Sequence, residues 1–343
     1  MSSRNGQALA ERVLGGDRRA LARLLTLIED GRRKGARALA ALYPRAGGAH
    51  VVGLTGSTGA GKSTLLNCVA RAFRARDVEL AVIAVDPTSP LSGGALLGDR
   101  LRMRDLVGDP GIFIRSMASR GHPGGVAHAT RDVITALDAA GFPLILVETV
   151  GSGQAQVAVA QVAHTVVLVE APGMGDDIQA LKAGLLEIAD VIVVNKADRP
   201  EAKRTVVALQ TVHTSAGRGH HQPGTDRTSE PKSPGADPAV APSWQVPILE
   251  TSATSGQGID ELVDAIVAHR TYLQTTRAWE VRQTRHARAA VRGWLLRHFE
   301  ETFNRCIDPP TVEAAIRAVV DREQDPASAA QDLLAAFLDQ VET

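Results

Sequence analysis

Val51-Val52-Gly53-Leu54-Thr55-Gly56-Ser57-Thr58-Gly59-Ala60-Gly61-Lys62-Ser63-Thr64 decides the fold of this chain. Val51–Leu54 is a short apolar run of strand type, and Gly56–Ser63 then fits the phosphate-loop pattern G-x-x-x-x-G-K-[ST]. A helical stretch, Lys62–Arg74, follows. The glycines let successive backbone N–H groups turn toward phosphates with no Cβ in the way, and the helix N-terminus adds partial positive charge. Lys62 is placed to reach the β- and γ-phosphates, and the Ser63 hydroxyl to ligate Mg²⁺. Gly56 to Thr64 are therefore the candidate phosphate-binding residues.

Working outward, five more apolar runs alternate with helical stretches: Leu80–Val85, Leu144–Val147, Thr165–Val169, Val191–Val194 and Val246–Leu249. Continuously apolar strands are buried on both faces, so the pattern predicts a doubly wound α/β domain with a mostly parallel sheet. Before it, residues 5–43 have helical spacing broken at Gly15-Gly16 and Gly31, which predicts two or three short helices. After Ile259 the spacing is helical to the end, with two amphipathic segments, about Trp279–Arg305 and Thr311–Val341, separated by Pro309-Pro310. Residues 214–243 lose their apolar content to Gly, Pro, Ser, Thr and His, the composition of a flexible insertion. The expected domains are a helical extension (1–48), the α/β domain (49–275) and a helical arm (276–343).

Composition narrows the function classes. The 38 basic and 38 acidic residues cancel, so no global charge draws the chain to nucleic acid or an anionic membrane. Six Phe, three Trp and two Tyr in 343 residues argue against base-stacking platforms. Cys68 and Cys306 alone cannot form a disulfide framework. No run reaches the roughly 18 apolar residues needed to cross a bilayer. A cytoplasmic protein is expected, or one of the mitochondrial matrix in a eukaryote.

The base is read from Asn195-Lys196-Ala197-Asp198 at the end of Val191–Val194. The Asp198 carboxylate can accept both N1–H and N2–H₂ of guanine, a donor pair that adenine lacks, so GTP and GDP are favoured over adenine nucleotides. Asn195 is assigned to the base edge and the Lys196 stem to the ring face. Thr251-Ser252-Ala253 then occupies the position from which a backbone N–H meets guanine O6, making Ser252 and Ala253 candidates. Asp86, Asp99 and Glu148 follow the strands beside the phosphate loop and are candidates, with Ser63, for Mg²⁺ or its waters.

The strings GLTGSTGAGKSTL, LAVIAVDPTSPLSGGALLGDR, RGHPGGVAHATRD, ILVETVGSGQ, PGMGDDIQALKAGLLEIADVIVVNKAD and ETSATSGQGIDEL resemble those of the MeaB/ArgK family of P-loop GTPases. That resemblance covers about Val51 to Asp198 and resumes near Val246. It implies the SIMIBI type of GTPase core and a chaperone of adenosylcobalamin-dependent acyl-CoA mutases, methylmalonyl-CoA mutase by default. It also implies a slow GTPase stimulated by the mutase and a C-terminal arm that makes a homodimer. Gly151 belongs to the second switch, and Asp176, Gln179 and Lys182 are candidates in the third, which couples to the mutase. Gln154 is the candidate for orienting the attacking water, with Lys182 completing the site alongside Lys62. The chain departs from the family at Ala155-Gln156, where a hydroxyl and a carboxylate are usual, which bears on signalling rather than nucleotide binding. Two other readings are a small-molecule kinase of the arginine/ornithine transport type and a nickel or cobalt insertion GTPase.

Overall fold

A computed structural model describes residues 4–86, 106–118, 125–149, 159–173, 183–216 and 243–341. Among the described residues there are seven strands: β1 (His50–Gly56), β2 (Leu80–Asp86), β3 (Ile112–Ala118), β4 (Leu144–Thr149), β5 (Thr165–Glu170), β6 (Val191–Asn195) and β7 (Ile248–Thr251). They form one sheet in the order β3-β2-β4-β1-β5-β6-β7, with every neighbouring pair parallel. This is the doubly wound, all-parallel α/β fold expected around a phosphate loop. The order reverses at β1, so the crevice at its C-terminal end is the place for a ligand.

Successive side chains of a strand point to opposite faces, and here both faces are apolar. Val51, Ala81, Ile83, Ile145 and Val147 pack on one face with three N-terminal helices, α1 (Arg4–Leu14), α2 (Arg18–Glu29) and α3 (Arg33–Leu42). The helix α5 (Gly125–Ala139) shares that face. Val52, Leu54, Val82, Leu146 and Val167 pack on the other, against α4 (Lys62–Ala75) and α8 (Ile259–Thr275). Two further helices, α6 (Ala183–Ile188) and α7 (Ala202–Ala216), flank β6 and β7 around Leu168, Ile192 and Leu209.

Three elements differ from the sequence reading. The strand β3 was not expected, because Arg115 and Ser116 interrupt its apolar run. As an edge strand it tolerates them: Arg115 Nε donates to Glu29 Oε1 at 2.7 Å and its Nη2 to Thr26 Oγ1 at 3.2 Å, both on α2. The last strand lies at 248–251 rather than 246–249, since Pro247 has no N–H; its carbonyl still accepts Ile192 N–H at 2.9 Å. The final helical segment is two helices, α10 (Pro309–Val320) and α11 (Pro326–Val341), after α9 (Ala278–Cys306). Asp325 ends the run by accepting the N–H groups of Ala327 and Ser328 at 2.9 and 3.1 Å, a helix-start cap ahead of Pro326. The insertion expected at 214–243 lies almost wholly outside the described residues.

The chain divides into two compact units, Met1–His286 and Ala287–Thr343. In the second, Phe299, Phe303 and Phe337 pack ring to ring with centroids 5.3 to 6.2 Å apart. Val291, Trp294, Leu295, Leu296, Ile316, Val320, Leu334 and Leu338 of that unit are exposed.

At the N-terminal ends of the strands, opposite the phosphate loop, the first unit buries a polar network. Thr165 Oγ1 bridges His50 Nε2 (2.7 Å) and His269 Nδ1 (2.8 Å), hydrogen-bonded to both rings. His164 Nδ1 accepts the Val51 N–H at 3.1 Å while its ring stacks on Trp279 at 4.0 Å. Asp190 accepts both guanidinium arms of Arg282, at 2.6 and 2.8 Å, and the Val166 N–H at 2.8 Å. Burial, reinforced by His286 and nearby arginines, pushes His164 down to about 3. Burial likewise holds His286 at about 3, His269 at about 4 against the pull of Asp190, and His50 well below its usual range. These imidazoles are neutral when folded but take up protons when unfolded, so stability falls as pH drops below about 6.5, by about 1.4 kcal/mol per unit for each such histidine. Thermal melts from pH 7.5 to 4.5 should show a steadily falling midpoint; a flat profile would contradict the buried neutral network.

Candidate nucleotide-binding site

The phosphate loop begins where β1 ends. Gly56 has φ +136° and passes so close to β5 that a Cβ there would lie 2.0 Å from the Val169 carbonyl oxygen. Gly61, at φ +89°, opens α4, and a Cβ on it would lie 2.5 Å from Asn195 Nδ2. Only glycine meets both demands, left-handed backbone and close approach. Thr58, Gly59 and Thr64 are exposed, Ser57, Gly61 and Ser63 are half-buried, and Ala60 packs into the core.

Lys62 is 7% exposed, and its ammonium donates to the carbonyls of Gly56 and Ser57, each at 2.9 Å. Burial lowers its pKa, while the carboxylates of Glu148 and Glu170 oppose that shift. The cation is thus stored against its own loop, at the position from which phosphates would draw it. Ser63 Oγ donates to Glu148 Oε1 at 2.6 Å, and Glu148 is 2% exposed at the end of β4. A hydroxyl and a carboxylate brought together at a phosphate loop form the all-oxygen donor set that suits a hard cation such as Mg²⁺. Asp86 closes β2 at the same edge of the sheet.

The candidate base-reading residues are wired to the phosphate loop. Asn195 Nδ2 donates to the Ala60 carbonyl at 2.8 Å, and its Oδ1 accepts the Ala253 N–H and the Thr251 hydroxyl, each at 3.2 Å. Sequence reasoning assigned Asn195 to the base edge; in the structure it ties the two loops together. Lys196, at φ +59°, donates to the Gly59 carbonyl at 2.8 Å, which lays its stem along the phosphate loop. The Ser252 hydroxyl donates to Asp198 Oδ1 at 2.8 Å, and that bond leads in holding the Asp198 carboxyl below its usual range. The Cys68 thiol donates to the Ala253 carbonyl at 3.1 Å, bracing the loop from α4. Asp99, Gly151, Gln154, Asp176, Gln179 and Lys182 lie outside the described residues.

One residue escaped the sequence reading. Glu170 ends β5, is 1% exposed, and accepts the Ser57 hydroxyl at 2.7 Å. The signal was present: an acid closes an uninterrupted apolar strand beside β1, as Glu148 does on the other flank.

Comparison with known proteins gives the family. The family model for the methylmalonyl-CoA mutase-associated GTPase MeaB matches residues 21–304. A protein of Pyrococcus abyssi that is named a putative GTPase is 43% identical over 330 residues, covering 95% of both chains. GTPase ArgK of Escherichia coli is 34% identical over 305 residues, covering 87% of this chain and 85% of its own. The mitochondrial methylmalonic aciduria type A homolog of Mus musculus is 34% identical over 295 residues, covering 83% of this chain and 65% of its own. Among solved structures, an LAO/AO transport system kinase superposes with a TM-score of 0.68 at 25% identity, covering 98% of each chain. A strand-anchored phosphate loop, the Asn195–Asp198 loop wired to it, and a family match along most of its length lead to one conclusion: this chain belongs to the MeaB family of methylmalonyl-CoA mutase-associated GTPases.

Proposed function

We propose that the chain is a GTP-hydrolysing G protein that gates adenosylcobalamin loading and protects or reactivates a B12-dependent acyl-CoA mutase, with methylmalonyl-CoA mutase as the client. The observation that carries the nucleotide part is the Asn195 bridge, which makes the base loop and the phosphate loop one unit. The client is supported by the family description and by the mouse relative's name. Such a chain works where the mutase does, in the cytoplasm or, in a eukaryote, the mitochondrial matrix.

In this reading the loop amides and Lys62 hold the β- and γ-phosphates, and hydrolysis follows from positioning and electrostatics, with no covalent intermediate. Ser63 with Glu148, Asp86 and Asp99 would hold Mg²⁺, which would neutralise phosphate charge when bound. Gln154 orients the water, and Gly151, Asp176, Gln179 and Lys182 report the nucleotide state to the mutase. Residues 1–48 brace the GTPase domain of 49–275, and the arm of 276–343 joins a second copy through the exposed apolar side chains of its helices.

Phosphate release from GTP, measured with and without methylmalonyl-CoA mutase and adenosylcobalamin, tests the proposal. Slow release accelerated by the mutase is expected; equal rates would remove the client. The kinase named among the structural relatives keeps a second reading in play, transfer of the γ-phosphoryl to a small molecule. It would appear as GDP formed without free phosphate when arginine or ornithine is supplied. For base selection, Asp198→Asn should weaken GTP by about tenfold or more while leaving weak ATP binding alone. Unaltered GTP affinity in a competition titration would refute that assignment.

A further inference from the structure

Strand β1 lies between β4 and β5, and each neighbour ends in a buried carboxylate, Glu148 on one flank of the phosphate loop and Glu170 on the other. Glu148 meets Ser63, at the loop's far end. Glu170 meets Ser57, the second residue of the loop, whose carbonyl in turn accepts the Lys62 ammonium. A continuous chain of polar contacts therefore runs from the sheet through Ser57 to the cation that serves the phosphates. Burying a carboxylate is costly without a partner, and the partner here is supplied by the loop itself.

We propose that Glu170 is a positioning residue of the nucleotide site. Through Ser57 it fixes the first turn of the phosphate loop, and with it the carbonyl pair between which Lys62 is held, so that the loop is set before nucleotide arrives. The gain is preorganisation: a loop already anchored to β5 loses less freedom on binding than one attached only at its ends. The proposal rests on the guanine-nucleotide reading of the site and adds to it a residue outside the phosphate-loop motif. Ser57 acquires a role that its place in the motif does not predict, since the motif leaves that position open.

The test is a double-mutant cycle on the full chain, read as the dissociation constants of GTP and GDP. Ser57→Ala and Glu170→Leu should each weaken both nucleotides about tenfold, and the double variant should be no weaker than either single one. Glu170→Gln keeps an acceptor for the Ser57 hydroxyl and should restore most of the affinity lost in Glu170→Leu. A role confined to stability would lower the melting temperature of the Glu170 variants without that coupling. Losses that multiply, wild-type affinity in both single variants, or a Gln variant as weak as Leu would overturn the proposal. Should Glu170→Leu not fold, Ser57→Ala and Ser57→Ala/Glu170→Gln decide it: equal affinities support the link, a further loss overturns it. A wild-type chain that fails to bind GTP sinks the underlying reading, and this inference with it.

Discussion

Lys62→Ala should bind GTP and GDP about a hundredfold or more weakly while keeping its fold. The ammonium is already shielded from water and holds two carbonyls at 2.9 Å, so exchanging them for phosphate oxygens replaces neutral acceptors with charged ones. Each hydrogen bond between charged partners is worth about 1.5–3 kcal/mol, and two of them account for a loss of that size or more. The fold should survive because a buried cation is also removed, together with the cost of keeping it from water, while β1 and α4 keep their apolar packing. Titration with fluorescent GDP, set beside a thermal melt, reads both halves of the claim. Affinity equal to wild type would refute the phosphate-loop assignment.

The largest effect on stability should come from the opposite end of the sheet. Asp190 is 6% exposed and satisfies both arms of Arg282, the Val166 N–H and, through its backbone carbonyl, the Trp244 indole at 2.8 Å. Arg282→Ala strands that carboxylate in the interior, and Asp190→Ala strands the guanidinium. Breaking one partner of a buried pair costs about 3–5 kcal/mol. For a unit of this size that corresponds to a melting point lower by about 5–15 °C. Asp190→Leu/Arg282→Leu should be less damaging than the sum of its singles, because no lone charge remains. Melts of the three variants check this, and strict additivity would show that the pair does not act as a unit.

How much of this was legible beforehand depended on whether a signal was local. The strands β1, β2, β4, β5 and β6 announce themselves as apolar runs because both faces of each are covered. β3 does not, since the guanidinium that breaks its run finds Glu29 some 86 residues away in sequence, on a helix that no local pattern connects to it. The G-x-x-x-x-G-K-S and N-K-x-D motifs were visible for the same reason as the core strands: they are particular residue types at fixed spacing. Asn195 shows the limit. Its identity followed from the motif, but its contacts depend on the two loops meeting, which only tertiary structure decides. Glu170 and the histidine network lay further out of reach, because each pairs with residues more than 100 positions distant.

The placement of β1 also bears on how the chain reaches its native state. β1 sits at the centre of the sheet, but its neighbours β4 and β5 are synthesised about a hundred residues later. Closing such long loops before any ladder forms is slow, and the first unit should fold late and as a whole rather than strand by strand from its N-terminus. The phosphate loop takes its shape from Val169, Glu170 and Asn195, none of which has emerged when Gly56 has. A nascent chain ending before β6 therefore carries the complete phosphate-loop motif without the residues that shape it, and the loop should reach its native form only once β5 and β6 have joined the sheet.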